Sequence, residues 1–312
     1  MSHFQNFVSF GNGFRKTGKK PFFHLNLGLL FQKLKFWKSL LCYIYSMNCK
    51  EEWFSDANFW KNYAPIIFDD KHWSEVPEVA DSVTRLAGLR LYGLHREVGG
   101  GPKALDLCCG MGRITAELAR RGFSATGVDL CGEFLETARE DAAYEGLDIE
   151  YIEADARSFR RPDFFDTAVN LYISFGYFEN QDNDLLVARN VYDSLKGGGS
   201  FIIETLGKEI AVRDFVQGEW FERAGFTVLT EYEPVDSWAA LKNRWILIPN
   251  AEKVKGTTGR IEKTFTQRLY AATELRALLF EAGFKTVELY GGWDERPYDQ
   301  SAEALIAVGR KV

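Results

Sequence analysis

The stretch Ala104-Leu-Asp-Leu-Cys-Cys-Gly-Met-Gly-Arg-Ile-Thr115 decides how this chain folds. It begins as a short apolar run typical of a buried parallel strand, and it ends in a Gly-x-Gly turn followed by a helical pattern. A strand, a glycine turn and a helix N-terminus together present backbone N–H groups to a ligand. At Gly110 and Gly112 a Cβ atom would hold that ligand away from the main chain. The stretch therefore predicts a ligand site beyond the end of the first core strand.

Strands and helices alternate after this stretch, which is the pattern of a doubly wound, mostly parallel α/β sheet. The predicted core strands cover 104–108, 125–130, 149–154, 165–172 and 200–204. The alternation is interrupted over 207–270, where three segments predict a small antiparallel sheet: 226–232, 241–248 and 260–270. A helix over 273–282 and strands at 286–290 and 304–308 then complete the core sheet.

An aromatic segment precedes the core. Residues 47–102 read as a helical cap that includes a helix over 76–91 and ends at Gly99-Gly-Gly-Pro102. None of the eight tryptophans lies within 103–206, and six lie in the cap and the antiparallel insertion. This distribution predicts an aromatic lid over a pocket, and the alternative is that these rings form only the small cores of their own segments.

The first 46 residues differ from the rest of the chain. They contain seven Lys and Arg and no Asp or Glu, whereas 47–312 contains 31 Lys and Arg against 44 Asp and Glu. Their apolar runs are shorter than the ~20 residues that cross a bilayer. We interpret 1–46 as a basic leader outside the domain, either an extension upstream of a start at Met47 or a signal-like or membrane-surface segment.

Charge and cysteine content exclude several functional classes. The acidic body, with a net charge of -6 for the whole chain, is a poor match to a phosphate backbone, which argues against a nucleic-acid partner. The five cysteines include no C-x-x-C pair, so we expect neither a metal site nor a disulfide framework. We therefore expect a cytoplasmic protein that could form a homodimer, without a membrane partner apart from a weak contact by the leader.

Three acids follow or lie within successive predicted strands. Asp129 ends the second strand, where a carboxylate can accept both hydroxyls of a ribose. Asp155 follows the third strand, and with the backbone N–H of Ala156 it could read an adenine edge. Asp106 lies inside the first strand, where we expect it to organise the glycine turn or to meet an ammonium group, because an unpaired buried carboxylate is costly.

These residues resemble the class I S-adenosylmethionine-dependent methyltransferases. Leu105-Asp-Leu-Cys-Cys-Gly-Met-Gly-Arg113 is similar to motif I of that family. The later family motifs follow in order as Thr126-Gly-Val-Asp129, Glu153-Ala-Asp-Ala156 and Leu195-Lys-Gly-Gly-Gly-Ser-Phe-Ile-Ile203. Segments around 172–178, 268–284 and 290–299 resemble a bacterial small-molecule branch of the family.

The resemblance implies a seven-stranded, Rossmann-like sheet with an antiparallel last hairpin and S-adenosyl-L-methionine lying across the strand ends. It places Gly110 and Gly112 beside the methionine part and Asp129 at the ribose. It also assigns the remaining cofactor contacts by position: adenine to Asp155 and Ala156, the sulfonium side to Asn170 and Leu171, the carboxylate to Trp60, Tyr63 and Arg113, and further contacts to Asp106, Cys108 and Leu130.

The implied reaction is methyl transfer from a sulfonium to nitrogen or oxygen of a small metabolite. Tyr172, Phe175 and Tyr177 are the predicted catalytic residues, because aromatic faces stabilise a sulfonium by about 0.5–2 kcal/mol each. An oxygen acceptor would call for a general base, and no candidate is assigned, since we expect His72 and His95 to be surface or packing residues. The predicted acceptor contacts on the insertion are Arg244, Trp245 and Arg268, and the arginines would pair with a substrate carboxylate.

Other functions share parts of this pattern. A nicotinamide-dependent dehydrogenase begins with the same glycine turn, and Tyr192 and Lys196 have the spacing of its Y-x-x-x-K pair, but they fall at a helix end away from the expected pocket. A non-catalytic module that binds S-adenosylmethionine would also keep the glycine turn and Asp129. The full set of motifs favours a methyltransferase of the EC 2.1.1 class.

Overall fold

The structure is a computed structural model, and it describes residues 52–89, 100–250 and 259–312, which belong to one compact unit, 51–312. The leader prediction for 1–46 and the prediction for His95 lie outside these residues. The helices are α1 (Ala57–Ile67), α2 (Asp70–Ser74), α3 (Val76–Leu86), α4 (Arg113–Arg120), α5 (Gly132–Glu145), α6 (Gln181–Ser194), α7 (Lys208–Arg213) and α8 (Ala272–Ala282).

The strands form two sheets. They are β1 (Lys103–Leu107), β2 (Ser124–Asp129), β3 (Glu150–Glu153), β4 (Phe165–Asn170), β5 (Leu195–Thr205), β6 (Gly218–Arg223), β7 (Phe226–Val235), β8 (Ala240–Pro249), β9 (Ile261–Arg268), β10 (Thr286–Tyr290) and β11 (Leu305–Arg310). Among the described residues, no helix is long and apolar enough to cross a membrane.

The larger sheet has seven strands in the order β3-β2-β1-β4-β5-β11-β10. The strands β1 to β5 are parallel, whereas β11 runs antiparallel to both β5 and β10. The predicted Rossmann-like methyltransferase fold with an antiparallel last hairpin is therefore confirmed. The order reverses between β1 and β4, and a ligand crevice forms at such a reversal in open α/β sheets.

Apolar side chains cover both faces of this sheet, because successive residues of a strand point to opposite sides. In β5, Phe201 and Ile203 pack in the cluster that contains α6 and α8, whereas Ile202 packs in the cluster that contains α3 and α4. The resulting two-sided core holds the strand ends, and so the crevice above them, in fixed positions.

The smaller sheet is antiparallel with the order β6-β7-β8-β9, and it is the predicted insertion. It packs against α1 through a shared core in which Phe59, Tyr63 and Ile66 meet Val228 and Leu247. The cap and the insertion thus form one structure. Both β6 and α7 are absent from the sequence-based assignment, and β5 begins at Leu195, five residues before the predicted strand 200–204.

Candidate functional site

A cavity with a volume of about 470 Å³ lies beyond the carboxyl ends of β1, β2, β4 and β5. We call the part beside β2 and β3 the β2 end, which is lined by Asp129, Leu130, Phe134, Asp155 and Ala156. We call the part beside β5 and the loop after β10 the β5 end, which is lined by His72, Glu75, Tyr172, Glu204, Arg223 and Trp293.

Asp129 fixes the glycine turn at the β2 end. Its carboxylate accepts the backbone N–H of Gly110 at 2.7 Å through one oxygen and that of Cys131 at 2.8 Å through the other. Burial nevertheless raises the pKa of Asp129 above its ordinary value. Each carboxylate oxygen keeps a lone pair, so the side chain can still accept hydrogen bonds from a ligand in the cavity.

Asp106 lines the cavity from β1, where its carboxylate is already hydrogen-bonded. Its carboxylate accepts a hydrogen bond from the Thr115 hydroxyl at 2.6 Å, which ties β1 to α4 across the glycine turn. Burial raises the pKa of Asp106 to about 6. The adjacent Cys108 lines the cavity in a left-handed conformation (φ 62°), and burial raises the pKa of its thiol, so it stays protonated.

Arg113 is a buried cation on the cavity wall. Its guanidinium lies over the rings of Phe68, Trp73 and Tyr172, with distances of 4.9, 5.6 and 4.5 Å from Cζ to the ring centroids. Its Nη1 has no hydrogen-bond partner among the described residues, and burial lowers the pKa of the guanidinium. A buried charged donor without an acceptor is costly, so this position favours an anionic ligand.

Asn170 supplies the complementary group on the neighbouring strand. Its Nδ2 donates to the Leu107 carbonyl at 2.9 Å, and its buried Oδ1 has no partner in the part of the chain that the structure describes. The next residue, Leu171, is buried and lines the cavity. The switch point between β1 and β4 therefore carries one unpaired donor and one unpaired acceptor.

The loop after β4 is held in an unusual conformation. Tyr172 and Ile173 both have positive φ (55° and 64°), and the Tyr172 backbone N–H donates to Glu204 at 2.6 Å. Burial raises the pKa of Glu204 to about 7 and that of Tyr172 to about 12. The Tyr172 hydroxyl is buried and has no hydrogen-bond partner among the described residues. Strained residues of this kind are common at functional sites.

Asp155 lines the β2 end together with Ala156, but its oxygens are already in use. Both accept hydrogen bonds from Arg157, and the same guanidinium holds both oxygens of Glu52 at 3.0 and 2.7 Å. Burial raises the pKa of Asp155, yet the bonds from Arg157 hold it below its ordinary value. The acid predicted to read adenine thus also anchors the start of the cap.

Aromatic side chains line the cavity. Some of them belong to the six tryptophans of the cap and the insertion on which the lid prediction depends. Trp60, Phe175, Tyr177 and Trp245 all line the cavity. The ring of Tyr177 lies 4.6 Å from Trp53, which stacks on Phe265 of the insertion. Other members of the tryptophan set lie elsewhere: Trp220, for example, is 70% exposed.

Four predicted site residues do not line the cavity. Tyr63 is buried between the cap and the insertion, where its hydroxyl donates to the Trp245 carbonyl at 2.9 Å. Gly112 faces the core, since a Cβ there would lie 2.4 Å from the Tyr151 hydroxyl.

The other two are the arginines expected to bind the acceptor. Arg244 is on the outer face of the insertion and pairs with Glu231 at 2.8 Å and Glu262 at 2.6 Å. Arg268 places its guanidinium 5.8 Å from the centroid of the Tyr270 ring and does not line the cavity. The structure therefore does not bring either arginine to the position expected of an acceptor contact.

The β5 end contains functional candidates that sequence reasoning missed. His72, expected to be a packing or surface residue, lines the cavity with its Nδ1 atom 2.5 Å from Asp69. The spacing of Asp69 and His72 was the available signal. An acid within the apolar run Phe-Ile-Ile-Glu204 was a comparable signal for Glu204.

Tyr192 and Lys196 do not form a catalytic pair. The Tyr192 ring packs against Phe284, and the Lys196 amine binds Asp166 at 2.8 and 2.9 Å. Neither residue lines the cavity, so they do not support a dehydrogenase.

Comparisons with known proteins agree with this geometry. Residues 104–199 match a family model described as a methyltransferase domain. A Geobacillus sp. (strain WCH70) protein named as a methyltransferase is 24% identical over 78% of this chain and 96% of its own length. The ubiquinone biosynthesis O-methyltransferase of Idiomarina loihiensis is 30% identical over 35% of this chain and 44% of that protein. A solved S-adenosylmethionine-dependent methyltransferase from Clostridium acetobutylicum is 16% identical, with a TM-score of 0.66 over 81% of this chain and 98% of that one.

Proposed function

The chain belongs to the class I S-adenosylmethionine-dependent methyltransferase family, and on that premise we propose that it transfers a methyl group to nitrogen or oxygen of a small-molecule metabolite. The family and the fold establish S-adenosylmethionine as the cofactor. One relative that matches part of the chain is a ubiquinone biosynthesis O-methyltransferase, and this supports a small-molecule acceptor. We further propose that residues 47–312 form the whole methyltransferase domain and act in the cytoplasm.

One observation carries the proposal: the two unpaired buried groups at the switch point. Arg113 offers a charged donor and Asn170 an acceptor oxygen, and both line the cavity. The methionine part of the cofactor has a carboxylate and an ammonium group, which complement these two groups. A chain with no such ligand would leave both groups desolvated and unpaired.

Other lining residues suit the rest of the cofactor. Asp129 can accept from ribose hydroxyls, while the apolar side chains of Leu130 and Ala156 can bracket the adenine beside Asp155. The Gly110 backbone, Cys108 and Leu171 would border the methionine and sulfonium part, and Trp60 would close over it.

The chemistry requires little beyond position and exclusion of water. The bound cofactor supplies a methyl group on a cationic sulfonium whose leaving group is a neutral thioether. The chain contributes a cavity that orients the acceptor, since alignment of reacting groups removes much of a barrier. Aromatic faces at Tyr172, Phe175 and Tyr177 stabilise positive charge there by about 0.5–2 kcal/mol each.

Calorimetry with S-adenosylmethionine, followed by incubation of the protein with deuteromethyl cofactor and a small-molecule cell extract, tests the proposal. We expect tight binding and a labelled metabolite detected by mass spectrometry. Arg113→Met should weaken cofactor binding on the order of 10- to 100-fold, because it removes charge-assisted hydrogen bonds.

The control is Arg120→Met on the same helix, whose guanidinium binds Glu145 on the surface; it should leave the dissociation constant unchanged. Binding without any labelled product would instead favour a non-catalytic binding module. Binding of a nicotinamide cofactor in the same cavity would contradict the proposal.

A further inference from the structure

The β5 end of the cavity contains a histidine held by a carboxylate. His72 Nδ1 lies 2.5 Å from Asp69 Oδ1, and the same oxygen accepts the His72 backbone N–H at 3.0 Å. A neutral imidazole that donates from Nδ1 has its lone pair on Nε2. No described residue forms a hydrogen bond with that Nε2 atom.

Asp69 is itself fixed from the insertion. Its second oxygen pairs with Arg223 of β6 at 3.0 Å, and Arg223 also donates to the Ile66 carbonyl at 3.1 Å. Burial raises the pKa of Asp69, but the bonds from His72 and the charge of Arg223 hold it below its ordinary value. An ionised Asp69 would stabilise a positive charge on the imidazole.

The imidazole lies beside the loop that follows the switch-point strand. Its ring centroid is 6.1 Å from that of Tyr172, edge to face, and Tyr172 is two residues beyond Asn170. Glu204 is a weaker base candidate, because its carboxylate accepts the Tyr172 backbone N–H and so supports the strained loop. The charged or titratable groups that line this end with His72 are Glu75, Arg113, Tyr172, Glu204 and Arg223.

We propose that His72, positioned by Asp69, is the general base of the reaction and that the methyl acceptor is a hydroxyl group. This inference rests on the proposed function. As the new O–CH₃ bond forms and the S–CH₃ bond breaks, the hydroxyl proton moves to His72 Nε2. The cationic cofactor becomes neutral, the imidazole becomes positive, and the proton then leaves to water because the His72 side chain is 34% exposed.

The pair favours a hydroxyl over an amine for a chemical reason. A hydroxyl with a pKa near that of a phenol, about 10, arrives protonated and gains from a base as the bond forms. A neutral amine already presents a lone pair to the methyl group. The histidine–carboxylate pair supplies the oriented base that proton removal from an oxygen acceptor requires.

Three variants separate a catalytic role from a structural one. We expect His72→Gln to lower kcat on the order of 10²- to 10⁴-fold and to abolish the fall in rate toward acid, with the dissociation constant of S-adenosylmethionine unchanged. Asp69→Asn should lower kcat about 10-fold or more, since an amide can favour the wrong imidazole tautomer. Lys71→Gln, an exposed neighbour on α2, should match the wild type.

The acceptor probe is the metabolite fraction that the wild type labels from deuteromethyl cofactor. An O-methylated product that His72→Gln makes slowly supports the inference. An N-methylated product, or a His72→Gln variant with undiminished kcat, overturns it and leaves the transferase function standing. If the wild type binds cofactor and labels nothing, the proposed function fails and this inference fails with it.

Nitrogen-15 NMR of the imidazole gives a readout that needs no acceptor. We expect the proton on Nδ1 in the wild type and a change of tautomer in Asp69→Asn. A proton on Nε2 in the wild type would overturn the assignment of His72 as the base.

Discussion

The two ends of the cavity are built in different ways. At the β2 end, the groups that shape the wall are close in sequence and bonded to the backbone, as Asp129 is to Gly110 and Cys131. At the β5 end, side chains from the cap, the insertion and one core strand meet, as Asp69, His72, Arg223 and Glu204 do. If the β2 end holds the cofactor and the β5 end the acceptor, as we propose, the difference teaches that one continuous motif binds the shared cofactor, whereas the acceptor pocket is assembled from separate segments that can vary independently.

If the β2 end is a rigid backbone structure, its most crowded glycine should tolerate no side chain. We expect Gly112→Ala to lower the free energy of unfolding by about 3 kcal/mol, because φ is +74° and the new Cβ would lie 2.4 Å from the Tyr151 hydroxyl oxygen. Chemical denaturation monitored by circular dichroism measures the change.

The matched control is Gly146→Ala, where φ is +69° and, apart from the adjoining backbone, no atom of a described residue would lie within 4 Å of the new Cβ. It should cost only the backbone strain, about 1 kcal/mol. Adding Tyr151→Phe to Gly112→Ala should recover part of the loss. Equal effects of the two alanine substitutions would show that crowding at Gly112 contributes nothing.

The carboxylate that organises this end should matter for the ligand as well. Asp129→Ala is expected to weaken S-adenosylmethionine binding by about 1–3 kcal/mol, since it would remove the charged hydrogen bonds that we propose to the ribose and releases the Gly110 backbone. Calorimetric titration gives the dissociation constant. Asp129→Asn keeps one acceptor oxygen and should lose less, and an unchanged constant in Asp129→Ala would contradict the assignment.

The contrast between the ends also explains what the sequence could reveal. The strand, turn and acid of 104–129 were predictable because strand periodicity and glycine position act locally. The pairing of Asp69 with Arg223 depends on how the insertion folds over the cap, and no local pattern encodes it. Arg244 and Arg268 were assigned to the acceptor because charge alone does not reveal which face of a strand a residue occupies.

The missed strand β6 has a similar physical reason. It is an edge strand of the insertion, and its residues Gly218–Arg223 are exposed or half-buried. With no buried face, its sequence lacks the alternation by which a strand is recognised. Since Arg223 lies on this strand, the omission of β6 also concealed a wall of the β5 end.

The β5 end should show its buried charge as a pH dependence. Burial raises the pKa of Glu204 from 4.5 to about 7, so the folded state binds a proton there that the unfolded state has lost. The stability contribution is fully present below pH 4.5 and is lost as the pH rises through 7, on the order of 3 kcal/mol. Urea denaturation of the wild type at pH 4.5 and pH 8 measures it.

Glu204→Gln should remove this loss, because the amide does not ionise. Glu150→Gln is the control with the opposite sign: hydrogen bonds from Arg161 lower the pKa of Glu150, so its contribution to stability is present above pH 4.5 and is lost as the pH falls below 4.5. Parallel pH profiles for the wild type and Glu204→Gln would mean that Glu204 ionises as readily in the folded protein as in the unfolded chain, and that burial does not raise its pKa.

The smallest effect is expected where the cap meets the β2 end. Glu52 holds Arg157, which in turn holds Asp155, but all three side chains are partly exposed, and such pairs contribute about 0.5 kcal/mol and weaken with salt. Glu52→Gln should therefore raise the dissociation rate of S-adenosylmethionine less than about 3-fold at low ionic strength in stopped-flow experiments, and not at all in high salt. Glu179→Gln, another exposed glutamate, should have no effect at either salt concentration. A large, salt-independent effect of Glu52→Gln would show that the cap controls cofactor release. The β2 end, like the β5 end, would then depend on side chains from separate segments.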